Sequence, residues 1–164
     1  MIQVYIGDGR GKTTTSVGLS VRAAGHGFRV LFMQFLKDDS TGEVKALRQI
    51  PGIEVVHCPV NYGFAFQMTE EQKKETAKEY DKMLDKAISS DAFLIVLDEV
   101  IHATNAGMIK KEKLGRVLDK DCEIILTGQD APEWILDRGD YVSDIRKIKH
   151  PYDKGIQARI GIEF

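Results

Sequence analysis

The stretch with the most chemical potential is Gly7-Asp8-Gly9-Arg10-Gly11-Lys12-Thr13-Thr14-Thr15. Glycines let the backbone bend until successive N–H groups converge on an anion. A lysine and a hydroxyl directly after them add a mobile cation and an oxygen ligand for a hard metal ion. The combination suits a nucleoside triphosphate. Gly7, Asp8, Gly9, Arg10, Gly11 and Thr14 would line the phosphates, Lys12 would neutralise the distal ones, and Thr13 would ligate Mg²⁺, which assigns the catalytic roles to Lys12 and Thr13. The phosphate-loop pattern G-x-x-x-x-G-K-[ST] asks for glycine at position 6, where this chain has Ile6 followed by Gly7, so the loop is a variant. A dinucleotide fingerprint, G-x-G-x-x-G, would need glycine where Lys12 stands, and the NAD reading fails on that residue.

A second constellation closes the run Phe93-Leu94-Ile95-Val96-Leu97-Asp98-Glu99, an apolar strand ending in two carboxylates. Beside a phosphate loop, Asp98 or Glu99 would hold Mg²⁺ directly or through water, and the residues alone leave open which of the two does so.

These groups need a scaffold, and its elements are readable. Apolar runs at 1–6, 29–35, 53–58, 93–97 and 123–127 read as buried strands. Segments with helical spacing lie between them at 13–24, 42–50, 69–89 and 110–118. The alternation predicts an α/β fold, a single P-loop NTPase-like (RecA-like) domain over 1–164 with a mostly parallel sheet and helices on both faces. Thr69 and Gln72 predict a capping box at the start of the long helix. Two late strands, 141–148 and 157–164, are expected around the turn 150–155.

Composition narrows the class further. The chain has 164 residues, 43% hydrophobic and 29% charged, with a formal net charge of −2. That is ordinary for a folded globular domain and gives no basic field for a nucleic-acid partner. Cys58 and Cys122 lack metal-ligand spacing and read as buried reduced thiols, which suits a cytoplasmic location. Met1 leads directly into an apolar strand, and no apolar run reaches the length of a membrane span, so no membrane partner is expected. To this point a small-molecule or nucleoside kinase, or a RecA-like ATP switch, fits as well as any other Mg-nucleotide protein.

Further motifs separate these readings. Tyr5-Ile6-Gly7-Asp8-Gly9-Arg10-Gly11-Lys12-Thr13-Thr14, Arg22-Ala23-Ala24-Gly25-His26-Gly27, Gln34-Phe35-Leu36-Lys37, Leu97-Asp98-Glu99, Leu126-Thr127-Gly128 and the ending Lys149-His150-Pro151-Tyr152-Asp153-Lys154-Gly155-Ile156-Gln157-Ala158-Arg159 occur in that order. Together they resemble the P-loop type ATP:cob(I)alamin (corrinoid) adenosyltransferases over nearly the whole chain. The resemblance implies transfer of the 5′-deoxyadenosyl group of ATP to the cobalt of a reduced corrinoid, with release of triphosphate, as in a cob(I)yrinic acid a,c-diamide adenosyltransferase. It further implies Mg²⁺ with ATP, a homodimer, a flavoprotein as the candidate reductant, and a nucleotide running in the reverse direction along the loop.

Members of that family displace the lower ligand of cobalt with aromatic residues, and Tyr62-Gly63-Phe64-Ala65-Phe66-Gln67 is similar to their segment. Phe64 and Phe66 would then cover the lower cobalt face. Arg22 would reach phosphate or ribose, or stand solvated. His150, inside the specific ending, would meet nucleotide or corrinoid, or stabilise its turn by a hydrogen bond. His26, His57 and His102 carry no such claim. The chain departs from the family at Gln129, where an arginine is usual, over 100–106, and in starting at the strand where relatives carry an extension over the site.

Overall fold

The computed structural model describes residues 1–37, 40–63 and 65–162. Six strands, β1 Ile2–Ile6, β2 Val30–Gln34, β3 Ile53–His57, β4 Leu94–Asp98, β5 Glu123–Thr127 and β6 Tyr141–Asp144, form one sheet in the order β3-β2-β4-β5-β1-β6. Every pairing is parallel. Parallel strands need crossover connections that lay helices over both faces, so the inner strands are apolar on both sides.

Alternation along each strand divides the core. Val30, Phe32, Leu94, Val96 and Ile125 pack with Leu47 of α2 (Gly42–Leu47) and with Val17, Leu19 and Ala23 of α1 (Lys12–Gly25). Leu31, Met33, Ile95, Leu97, Ile124 and Leu126 face the other way. There they meet α3 (Glu70–Ser89), α4 (Val100–Asn105), α5 (Lys111–Leu118) and α6 (Glu133–Leu136). A one-residue slip of β4 would exchange its two faces, so the register is tightly specified. In that register Gln34 lies beside Asp98, and Tyr5 beside Thr127. The polar residues ending the strands therefore collect along one edge.

The long helix begins as expected. Thr69 accepts from the Gln72 N–H at 3.2 Å, and Gln72 returns a bond to the Thr69 N–H at 2.9 Å. Two late elements differ from expectation. The run 141–148 pairs only over β6, because Ile145 turns onto the loop after β1 and its carbonyl accepts from the Gly9 N–H. Over 157–162 the chain forms no strand: these residues are exposed, and the Ile162 N–H is spent on Arg159 O within a local turn. Residues 163–164 of that expected strand lie outside the described residues. The short helices α4 and α6 were not expected at all. Among the described residues, no helix is long and apolar enough to cross a membrane.

Candidate active site

The loop between β1 and α1 is held from outside. Gly7 has φ +103°, and a Cβ there would stand 2.4 Å from the Ile145 carbonyl oxygen; one on Gly9 would stand 2.6 Å from the same atom. Only glycine permits so close an approach by the segment after β6. The Gly7 N–H donates to Gln129 O at 3.2 Å, the Gly9 N–H to Ile145 O at 2.7 Å, and the Lys147 N–H to Asp8 Oδ1 at 2.9 Å. That last bond holds the Asp8 carboxyl below its ordinary range. Two glycine amides expected to face phosphate are thus committed to neighbouring chain. The first turn of α1 supplies others, since the leading N–H groups of a helix have no intrahelical acceptor. Lys12 Nζ lies over the loop, donating to Gly7 O at 2.6 Å and Gly9 O at 2.8 Å. Arg10 donates to Ile162 O.

Asp98, at the end of β4, is fully buried and fully engaged. Its Oδ1 accepts from Thr13 Oγ1 at 2.9 Å and Thr127 Oγ1 at 2.7 Å; its Oδ2 accepts from Gln34 Nε2 at 3.3 Å and Lys37 Nζ at 3.2 Å. A buried carboxylate is tolerated only when its lone pairs are met in this way. Burial works against the charge on Lys37, but Asp98 and Glu99 outweigh it and hold the ammonium above the ordinary lysine value. Lys37 follows Leu36, a non-glycine residue at φ +58° whose N–H donates to the Tyr80 hydroxyl at 2.8 Å. Tyr80 is itself buried, which pushes its phenol up.

Glu99 is the second non-glycine residue in the left-handed region among the described residues, at φ +63°, its N–H tied to Thr127 Oγ1 at 2.8 Å. Such strain persists only where the surroundings impose it. The turn sets the Glu99 carboxylate against His102 and 3.9 Å from Lys37. Burial pushes this carboxyl up, but the His102 bond and the charges of Lys37, His102 and Lys12 carry it below its ordinary range. The same bond raises His102.

These groups border a cavity of about 540 Å³, lined by residues 9–14 together with Val17, Lys37, Gly42, Glu43, Glu99, Gly161 and Ile162. It opens at the carboxyl edge of the sheet, where open α/β sheets bind ligands. A cleft of about 640 Å³ at the opposite edge is lined by Met1, Phe28, Arg29, Phe93 and Glu123, at the amino ends of the strands, away from the loop and the acids.

The structure therefore brings together the loop, Lys12, Thr13, Thr14, Asp98 and Glu99. It does not bring Arg22 to them. Ten residues separate Arg22 from Lys12 on α1, about 15 Å along the axis, and Arg22 lies beside Gln3, His26 and Phe28. The His150 ring accepts from the Tyr152 N–H at 3.1 Å and caps the 3-10 turn Pro151–Lys154. Phe66 is 82% exposed in the 3-10 turn Ala65–Gln67. Phe64 lies outside the described residues. Gln34, Lys37, Thr127 and His102 belong to the site although the sequence reading gave them no role there. The available signal for the first three was that each stands at or just past the end of an apolar parallel strand.

A glycine loop between strand and helix, a lysine and threonine behind it, and an acid two strands away define a P-loop NTPase-like nucleotide-binding domain. Residues 1–164 match the family described as ATP:corrinoid adenosyltransferase BtuR/CobO/CobP. The corrinoid adenosyltransferase of Escherichia coli K12 is 28% identical over all of this chain and 85% of its own length. The corrinoid adenosyltransferase CobA of Salmonella typhimurium is 30% identical, again over the whole chain and 85% of the relative. That of Pseudomonas aeruginosa is 29% identical, covering 83% of the relative. The chain belongs to the ATP:corrinoid adenosyltransferase family. It is an enzyme that transfers an adenosyl group from ATP to a corrinoid, and the kinase and ATP-switch readings are not favoured.

Proposed function

We propose that the loop 7–11, the first turn of α1, Lys12, Thr13, Asp98 and Glu99 hold the triphosphate of ATP while the reduced cobalt of a corrinoid attacks C5′. The cobalt(I) electron pair forms the cobalt–carbon bond, the C5′–O bond breaks, and its electrons leave on the triphosphate. The observation that carries this reading is the convergence of Lys12, Thr13 and Glu99 on one cavity, with the buried Asp98 directly behind it, accepting from the Thr13 hydroxyl. Preorganised N–H groups and ammonium charges aimed at the departing oxyanion are the largest catalytic contribution such a site can make.

The donor set suits Mg²⁺. Thr13 hydroxyl, Asp98 and Glu99 are all oxygen donors, and Mg²⁺ needs only one or two carboxylates beside substrate phosphates. Gln34 Oε1, buried near Asp98 without a hydrogen-bond donor, could accept from a cation-bound water. Bound there, Mg²⁺ would neutralise charge on the leaving triphosphate. Thr13 and Asp98 would hold it, with Glu99 reaching it directly or through water.

On the corrinoid side, Phe66, with Phe64, would cover the lower face of cobalt, since the loop after β3 leaves the same carboxyl edge of the sheet. The position of Arg22, exposed on α1 away from the loop, favours the solvated reading, and that of His150 favours a turn-capping role. Cobalamin or an earlier cobyrinic acid a,c-diamide would serve as substrate, in a homodimer supplied with electrons by a flavoprotein. Anaerobic incubation with MgATP and chemically reduced cob(I)alamin tests the reading. The expected products are light-sensitive adenosylcobalamin and an equal amount of triphosphate, with Lys12→Ala slowing turnover by at least about 10²-fold. ADP without a cobalt–carbon bond would sink it.

A further inference from the structure

Lys37 stands among the oxygens that a divalent cation would use. Its Nζ is 3.2 Å from Thr13 Oγ1, 3.2 Å from Asp98 Oδ2 and 3.9 Å from Glu99 Oε1. Those are the hydroxyl and both carboxylates assigned above to Mg²⁺. An ammonium and a divalent cation cannot share one hydroxyl and one carboxylate, because the two positive charges would lie within a few ångströms of each other in a poorly solvated pocket. Lys37 is also able to leave. Its side chain retains 29% exposure and lines the cavity, and its four-carbon stem is flexible, whereas its backbone is anchored through Leu36 and Tyr80.

We propose that Lys37 competes with the divalent cation for the Thr13 hydroxyl and the Asp98 carboxylate, so that the cation enters only with a polyphosphate, which draws the ammonium onto itself. Lys37 thereby acts twice. It excludes a metal ion arriving alone, and after displacement it becomes a second lysine on the triphosphate, opposite Lys12. The inference rests on the reading that Mg–ATP binds in this cavity, and it assigns to Lys37 the coupling of metal to nucleotide. A purely structural lysine, by contrast, would support both ligands or neither.

Mn²⁺ binding separates these cases, followed for the metal alone by the loss of its free-ion electron paramagnetic resonance signal and, with ATP present, by the rise in water proton relaxation above that of Mn–ATP without protein. Wild-type protein is expected to bind Mn²⁺ weakly alone and tightly with ATP. Lys37→Met is expected to bind Mn²⁺ alone at least about tenfold more tightly than wild type and ATP about tenfold more weakly, opposite signs from one substitution. Lys37→Arg, which keeps the charge, is expected to exclude Mn²⁺ as wild type does. A gain in metal affinity cannot arise from misfolding. Unchanged or weaker Mn²⁺ binding by Lys37→Met, while wild type still binds Mn²⁺ with ATP, overturns the role of Lys37. Failure of wild type to bind Mn²⁺ even with ATP overturns the cavity assignment itself.

Discussion

Asp98 is the residue around which the site is built, and its four donors come from three elements: Thr13 from α1, Gln34 and Lys37 from the end of β2 and the turn just past it, and Thr127 from β5. Thr127 is the least obvious of them, because its hydroxyl donates to Asp98 while accepting from the Glu99 N–H. Thr127→Val keeps the shape but leaves that amide without its acceptor and the carboxylate short of a donor. It should cost about 2–3 kcal/mol, read from urea unfolding, and should weaken ATP binding more than a distant core substitution of equal cost. Gly9→Ala tests the other side of the loop. Its new methyl would meet Ile145 O at 2.6 Å, a backbone atom that cannot step aside, so triphosphate affinity should fall by an order of magnitude or more, measurable by calorimetry. Unchanged affinity would mean that the segment after β6 is free to lift. Lys12, Thr13, Asp98 and Glu99 were legible in the sequence because each sits inside a short local pattern whose chemistry is complete by itself.

At the scale of elements, α3 does two jobs. Through Tyr80 it fixes the strained Leu36 that precedes Lys37, and through Asp81 it is tied to α5, with Lys113 at 2.7 Å and Lys110 at 3.3 Å. The Lys113 bond comes first among the causes that hold the Asp81 carboxyl below its ordinary 3.8. A carboxyl lowered on folding adds stability above its ordinary value and loses it as pH falls through and below that value. Asp81→Asn should therefore be less stable than wild type at pH 7, by about 1 kcal/mol or less for a pair at the protein surface. The gap between the two unfolding curves should narrow as pH falls below 3.8; a gap that stays constant as the carboxyl is titrated would show that the ion pair contributes nothing. The helix itself was legible, since its capping box and apolar stripe are local. The expected strand at 157–164 was not realised over 157–162, because a strand needs a neighbour to pair with. Its alternation of apolar residues says nothing about whether one is available.

For the whole molecule, a ligand that binds only the folded chain stabilises it by mass action. At a hundredfold excess over Kd, MgATP should add about 2.7 kcal/mol, which for a chain of this size raises Tm by about 5–10 °C. Lys12→Ala should lose most of that rise while melting near the wild-type temperature without ligand, and retention of the full rise would move the nucleotide away from the loop. What the sequence determined by itself was the first five strands and the long helices, the phosphate loop, the acid pair and the family, because each is written in short-range spacing and residue type. What only the tertiary structure decided was the company those groups keep. Gln34 and Thr127 reach Asp98 because β4 lies between β2 and β5, and Lys37 reaches it through a left-handed turn just beyond β2. Arg22 is carried away because a helix rises about 1.5 Å per residue from the loop. Strand order and crossover direction are set by the packing of the whole core on both faces of the sheet, and no window of sequence contains that information.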